Sequence, residues 1–208
     1  MSNNPQKSLF RRRWFWIIAA LAVIYYGTKC FGQWGASRLE CNTTELPADT
    51  LPGAGPLRIA FISDVHNSRD MLDKAIDMIE AAKPDLIVYG GDFIALEERT
   101  HRTRKHMDLL RRLKAIAPTY AILGNMDYER MGPVLRIFET AGVPILRNKA
   151  VDWTAPNGST IRIIGLGDWN EGDENPDACM KPDGQEEHPV LLLSHDPESR
   201  ALLDAYDW

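Results

Sequence analysis

Four short, mostly apolar runs in this chain each end beside a side chain that can bind a metal ion. Leu57 to Ile62 leads into Asp64 and His66. Leu86 to Tyr89 leads across Gly90 and Gly91 to Asp92. Tyr120 to Leu123 leads across Gly124 to Asn125 and Asp127, and Val190 to Leu193 leads across Ser194 to His195. Short continuous apolar runs suit strands buried on both faces, as in largely parallel α/β sheets. Sites in such sheets lie outside the carboxyl ends of the strands. Carboxylate, imidazole and amide donors suit Mn, Fe or Zn rather than a thiolate-bound metal.

The remaining pattern supports layered α/β architecture. Met71, Leu72, Ala75, Ile76, Ile79 and Ala82 recur at three and four residues and predict a helix over Asp70–Ala82. A second helix is expected over Glu97–Ala115 and a third over Gly132–Ala141, stopped by Gly142. Strands are expected at Leu57–Ser63, Leu86–Tyr89 and Thr119–Leu123. Shorter ones follow at Val143–Leu146, Ala150–Trp153 and Ile161–Ile164, with a turn at Asn157 and Gly158. Gly172–Glu187 is polar and predicts a surface loop; Val190–Ser194 closes the strand set, and a helix should run over Pro197–Tyr206. Strand–helix alternation followed by hairpins predicts a sandwich of mixed sheets flanked by helices.

Charge is unevenly spread. The formal net charge is −5, yet residues 1–31 carry Lys7, Arg11, Arg12, Arg13 and Lys29 and no acid, which leaves −10 for the rest. So acidic a domain argues against nucleic acid as a partner, because that binding depends on neutralising phosphates. Trp14 to Tyr26 is apolar and aromatic, weakly prolonged to Phe31, with aromatic residues near both ends and three arginines before it. These features favour an uncleaved single-pass anchor over residues 11–31, after a cytoplasmic tail at 1–10, with the domain facing outward from the cell membrane. A cleaved signal peptide is the rival reading, and Arg12 and Arg13 partly match a twin-arginine signal. Residues 32–56, with Pro47, Pro52, Gly53, Gly55 and Pro56, read as a linker to a domain at 57–208. Cys30, Cys41 and Cys179 form no zinc spacing and read as three unpaired thiols, although a Cys41–Cys179 disulfide is open outside the cytoplasm.

Asp64-Val65-His66, Gly90-Gly91-Asp92, Gly124-Asn125-Met126-Asp127 and Ser194-His195-Asp196-Pro197 together resemble, in order and spacing, the first four motifs of the calcineurin-like metallophosphoesterases. With the N-terminal run, the chain resembles their membrane-associated branch. The resemblance implies that Asp64 and His66 hold one metal, that Asp92 bridges two, and that Asn125 and His195 hold the second. It also implies a phosphate-ester substrate cleaved by metal-activated water, with Asp92 and Asn125 at the reacting phosphate. Asp127 is expected to orient a loop rather than ligate. Asp168 is expected in a loop near the mouth of the site.

Three departures qualify the resemblance. Met126 stands where the family usually has His, and a thioether cannot serve a leaving group as His does. Ala95 replaces an Asp often found after the bridging residue. The family's fifth motif, Gly-His-x-His, would follow the Pro197–Tyr206 segment, and this sequence stops at Trp208. The expectation is therefore a C-terminally truncated phosphodiesterase or pyrophosphatase, inactive or unstable in this form, that takes two divalent ions (Mn, Fe or Zn). Membrane proximity suggests a lipid headgroup as substrate. Some relatives act on UDP-diacylglucosamine in lipid A synthesis, but at the cytoplasmic face. The alternative is a pseudoenzyme or scaffold that keeps part of the site. The basic run Arg99, Arg102, Arg104, Lys105, Arg111, Arg112 and Lys114 is expected to be a solvated helix face, with anionic lipid as the rival contact. Nothing in the sequence specifies an oligomeric state.

Overall fold

The computed structural model describes residues 5–36, 39–66, 68–93, 100–182, 185–203 and 206. The chain divides into two compact units, Met1–Asn42 and Thr43–Trp208. The first is dominated by helix α1, Pro5–Ala36, 32 residues long. Within it Trp14–Gly32, 19 residues, is long and apolar enough to cross a membrane. At 1.5 Å per residue that stretch covers about 28 Å, close to a hydrocarbon core of about 30 Å. Thr28, inside it, satisfies its hydroxyl on its own helix by donating to the Ile24 carbonyl at 3.0 Å.

The second unit is a layered α/β fold. Strands β1 (Ile59–Ile62), β2 (Leu86–Tyr89) and β3 (Thr119–Ala121) form a parallel sheet in that order. Helices α2 (Arg69–Ala82), α3 (Thr100–Ile116), the single turn α4 (Asn125–Tyr128) and α5 (Met131–Ala141) fall between and after them. Strands β4 (Lys149–Thr154), β5 (Thr160–Gly165) and β6 (Val190–Leu193) form a second sheet, antiparallel between β4 and β5 and parallel between β5 and β6.

Strand β2 explains the layering. Ile87 and Tyr89 enter a core with Leu72, Ile76, Leu113 and Phe138 from the helices. Leu86 and Val88 enter a second core with Trp153, Ile161 and Ile163 from the other sheet. A strand buried on both faces has no polar side to show, hence its unbroken apolar sequence. Ahead of β1, Ala54 is buried in the second core, and its carbonyl accepts from Asn157 Nδ2 (2.8 Å) and Ser159 Oγ (2.6 Å).

Helices α2 and α5 follow their apolar spacing. Leu72, Ala75, Ile76 and Ile79 are buried on one, and Val134, Ile137, Phe138 and Ala141 on the other. Gly142 ends α5 at φ 74°, and its N–H returns to the Glu139 carbonyl. Arg112, from the basic run, is held by Asp73, Asp77 and Glu80 of α2, while Arg111 pairs with Asp108 at 3.1 Å. That run therefore serves partly as an ionic seam between helices. Residues 97–99, where the second helix was expected to begin, lie outside the described residues, as does Ala95.

Two expected elements come out differently. Val143–Leu146 is not a strand; it touches β3 through one bridge, Ala121 to Ile145. Pro144 has no N–H to extend a ladder, although its carbonyl accepts from Ala121 at 3.0 Å. The helix expected over Pro197–Tyr206 is a 3₁₀ helix over Pro197–Leu202. Tyr206 leaves it to bridge Pro182. The loop after Gly172 is not wholly superficial: Cys179 and Met180 pack with Ile164, Leu166 and Leu203 in a third core. The three cysteines are free.

Leu72 is fully buried between α2 and the parallel sheet. Leu72→Ala is expected to destabilise the second unit by about 2–5 kcal/mol, and thermal melting checks this. A melting temperature unchanged from the parent would mean that this core does not carry the fold.

Candidate metal centre

The fold delivers the expected ligands through three loops at the carboxyl ends of β1, β2 and β6, and through α4 after β3. Asp64 (φ 57°), His66 (φ 43°) and Asp92 (φ 54°) all have left-handed backbones. Asp and His tolerate this better than most residues, but it still needs support from the surroundings. That support is mutual: the Asp64 N–H donates to the Gly91 carbonyl and the His66 N–H to the Asp92 carbonyl, both at 3.1 Å.

Asp92 is the centre. Its side chain is nearly buried, its Oδ2 lies 3.6 Å from His66 Nε2 and its Oδ1 lies 3.7 Å from His195 Nε2. Oδ1 also accepts the Met126 N–H at 3.0 Å. Asp64 Oδ1 lies 3.4 Å from His66 Nε2. One donor atom from each of Asp64, Asp92 and His195 falls within 4.8 Å of the others. Asp64 and His66 are exposed, so one side of the cluster is open to solvent.

His195 is oriented from behind. Its Nδ1 lies 2.8 Å from the Gly90 carbonyl. A carbonyl only accepts, so Nδ1 carries the proton and Nε2 turns a lone pair toward Asp92. Burial works against a charged His195, but the Gly90 carbonyl and the Asp92 and Asp64 carboxylates outweigh it and raise its pKa. Two electron-rich atoms face each other here at a distance that suits a shared cation. A divalent ion therefore fits the residues present.

Glycines allow the close approach. A Cβ on Gly124 would stand 2.4 Å from Asp92 Oδ1, 2.7 Å from the Asp92 nitrogen and 2.7 Å from His195 Cε1. Asn125 follows directly, as the first residue of α4, and is half-buried. Asp127, 1% exposed, accepts the Phe93 N–H on Oδ1 (2.9 Å) and the Gly124 N–H on Oδ2 (3.1 Å). It ties the loop after β2 to the loop after β3, the orienting work expected of it.

A second network fixes the loop after β5, and the sequence carried no signal for it. Asp173 accepts two bonds from Arg147, one of them from Nε at 2.6 Å, and one from the Tyr128 hydroxyl at 2.6 Å. Asn148 Oδ1 accepts the Gly167 N–H (2.8 Å) and the Asn175 N–H (2.9 Å). The Arg147 guanidinium holds the Asp173 carboxyl below its usual range, against the opposing effect of burial. Burial, then Asp173, pushes Tyr128 up to about 12. Asp168 lies in this loop as expected, but it is fully buried rather than at a mouth. Burial pushes its pKa up to about 6; the Glu171 N–H opposes the rise and the Asp196 charge adds to it.

Two β-sheets flanked by helices carry a carboxylate–imidazole cluster at the carboxyl ends of their strands, where α/β folds hold their sites. The chain belongs to the calcineurin-like phosphoesterase family, whose model matches residues 57–207. It is 31% identical to phosphodiesterase YaeI of Escherichia coli over 74% of this chain and 58% of that protein. It is 26% identical to UDP-2,3-diacylglucosamine pyrophosphatase LpxG of Chlamydia trachomatis over 72% of this chain and 60% of that protein. It is 24% identical to a transmembrane protein with metallophosphoesterase domain of Danio rerio over 74% of this chain and 38% of that protein. The chain thus spans about three fifths of the length of YaeI and LpxG.

Gly124→Ala is expected to weaken divalent-ion binding by roughly 10-fold or more, because Asp92 or His195 must move, and isothermal titration with Mn²⁺ reads the change. Unchanged affinity would show that these loops have room to spare. Asp173 has a lowered pKa, so its contribution is present above the ordinary carboxylate range and fades as pH falls through the folded value. Melting curves from pH 6 down to about pH 3 should show a larger loss for the parent than for Asp173→Asn, in the range where carboxylates titrate. Parallel curves would remove that role from Asp173.

Proposed function

We propose that the chain is a membrane-anchored, divalent-metal-dependent phosphoesterase acting on a phosphodiester or pyrophosphate. The observation that carries this is the placement of Asp92, whose two oxygens face different imidazoles, His66 and His195. A carboxylate so placed can bridge two cations and offset their repulsion. Asp64 and His66 would hold one ion, Asn125 and His195 the other, with Asp92 shared; Mn, Fe or Zn suits this donor set. When bound, such a pair supplies an activated water and charge stabilisation on the phosphate. The chain's own residues prepare that chemistry. Gly90 fixes the His195 tautomer, the Met126 N–H anchors Asp92, and the open side at Asp64 and His66 admits the substrate. The Met126 thioether gives no proton to a leaving group, which favours substrates whose leaving oxygen is already a good one, as in a pyrophosphate.

The apolar stretch Trp14–Gly32 of helix α1 and the three arginines just before that stretch support a single-pass cell-membrane anchor with the domain facing outward. A lipid-linked phosphate suits such a position, and LpxG, by its name, acts on a lipid-linked pyrophosphate. A non-catalytic reading rests on Met126: a scaffold would keep ion binding without turnover.

The test uses the full chain in detergent. Mn²⁺ should raise its melting temperature, and Asp92→Asn should abolish the rise, because the shared carboxylate loses its charge. Hydrolysis of bis(p-nitrophenyl) phosphate should follow the same pattern. Ion binding without hydrolysis of diester or pyrophosphate probes would favour the scaffold. An equal Mn²⁺ shift in parent and Asp92→Asn would sink the bridging role.

A further inference from the structure

Asn125 and His195, the residues expected to hold the same ion, come from separate elements, and one loop is bonded to both of those elements. Asn125 opens the single turn α4, which ends at Tyr128. The Tyr128 hydroxyl donates to Asp173 Oδ2 at 2.6 Å and accepts the Asp168 N–H at 3.2 Å, so it grips the loop after β5 at two points. Between those points Asn170 donates from Nδ2 to Asp196 Oδ1 at 2.7 Å, and Asp196 adjoins His195. The loop is itself braced. Arg147 donates from Nε to Asp173 at 2.6 Å, and its guanidinium stands 5.5 Å from the centre of the Tyr128 ring. Asn148 donates from Nδ2 to the Asp173 carbonyl at 2.6 Å, while its Oδ1 accepts the Gly167 N–H at 2.8 Å. Gly167 packs directly on Asp173: a Cβ there would stand 2.5 Å from both the Asp173 carbonyl oxygen and its Oδ2.

We propose that the loop from Gly167 to Asp173 is a spacer that sets the separation of Asn125 and His195, with Tyr128 and Asn170 as its two positioning residues. Both act through the ligands rather than on the ion. A single helical turn does not hold its own shape, so α4 takes its orientation from what it is tied to. The Met126 N–H and the Asp127 carboxylate tie its start to Asp92 and Phe93, and the Tyr128 hydroxyl ties its end to the spacer. A neutral amide brings no net charge to draw a cation in, so what Asn125 adds to affinity depends on its being in place beforehand. Asp64 and His66 take their backbone bonds from Gly91 and Asp92 instead, so the spacer should govern one ion and not the other. This role rests on the two-ion reading of the centre.

The experiment titrates Mn²⁺ into the full chain in detergent by isothermal calorimetry, with the metal-free melting temperature read alongside. The parent should take up two ions in separable steps. Tyr128→Phe keeps the ring against Arg147 and removes only the hydroxyl. It should weaken one step by about 10-fold or more, as when the partner of a metal ligand is lost, and leave the other step unchanged. Asn170→Ala, at an exposed position, should weaken the same step. So should Gly167→Ala, which pushes Asp173 away from Tyr128. A merely structural role would lower the melting temperature and keep the ratio of the two affinities. An unchanged ratio in both Tyr128→Phe and Asn170→Ala therefore overturns the spacer alone, and so does a fall of both steps together. A parent that takes up fewer than two Mn²⁺ overturns the two-ion reading, and the spacer with it.

Discussion

The site depends on the contact between the loops after β2 and β3, where backbone packs on backbone. A Cβ on Gly91 would stand 2.5 Å from the Gly124 nitrogen, and one on Gly124 would stand 2.4 Å from Asp92 Oδ1. With no side chain between them, Asp92 reaches the Met126 N–H and faces His195 at the same time. Asp127 makes that contact permanent by accepting an N–H from each loop. Its carboxylate is buried, so each bond replaces water that the side chain gave up on folding.

Around this junction the molecule is organised by what each side chain must satisfy. The Gly90 carbonyl accepts the hydrogen bond of His195 Nδ1–H, and so determines which nitrogen is turned toward Asp92. Arg147, Tyr128 and Asn148 hold the loop after β5, and through Asn170 and Asp196 that loop meets the residue next to His195. Rigid support of this kind keeps donor atoms within a few ångströms of one another even though Asp64 and His66 are open to solvent.

Much of the scaffold was legible. Leu86–Tyr89 is apolar throughout because it is buried on both faces, and α2 and α5 carry apolar residues at helical spacing because each buries one stripe. The candidate ligands stood out because polar residues directly after buried strands are rarely explained by packing. Val143–Leu146 misled because its apolarity reports burial, while Pro144 denies it a ladder. Pro197–Tyr206 misled because its 3₁₀ path leaves Tyr206 bridging Pro182, a partner with no local sequence signal.

By itself the sequence determined the order of strands and helices, the family, and an N-terminal helix long and apolar enough to span a membrane. These follow from local periodicity, from motifs a few residues long and from unbroken apolar length. Only the tertiary structure decided that Asp92 lies between two imidazoles, that Gly90 sets the tautomer of His195, and that Asp173 is gripped by Arg147 and Tyr128. Those facts join residues as far as 105 positions apart, as from Gly90 to His195. Separation along the chain carries no record of such distances; packing of the two sheets and their loops creates them.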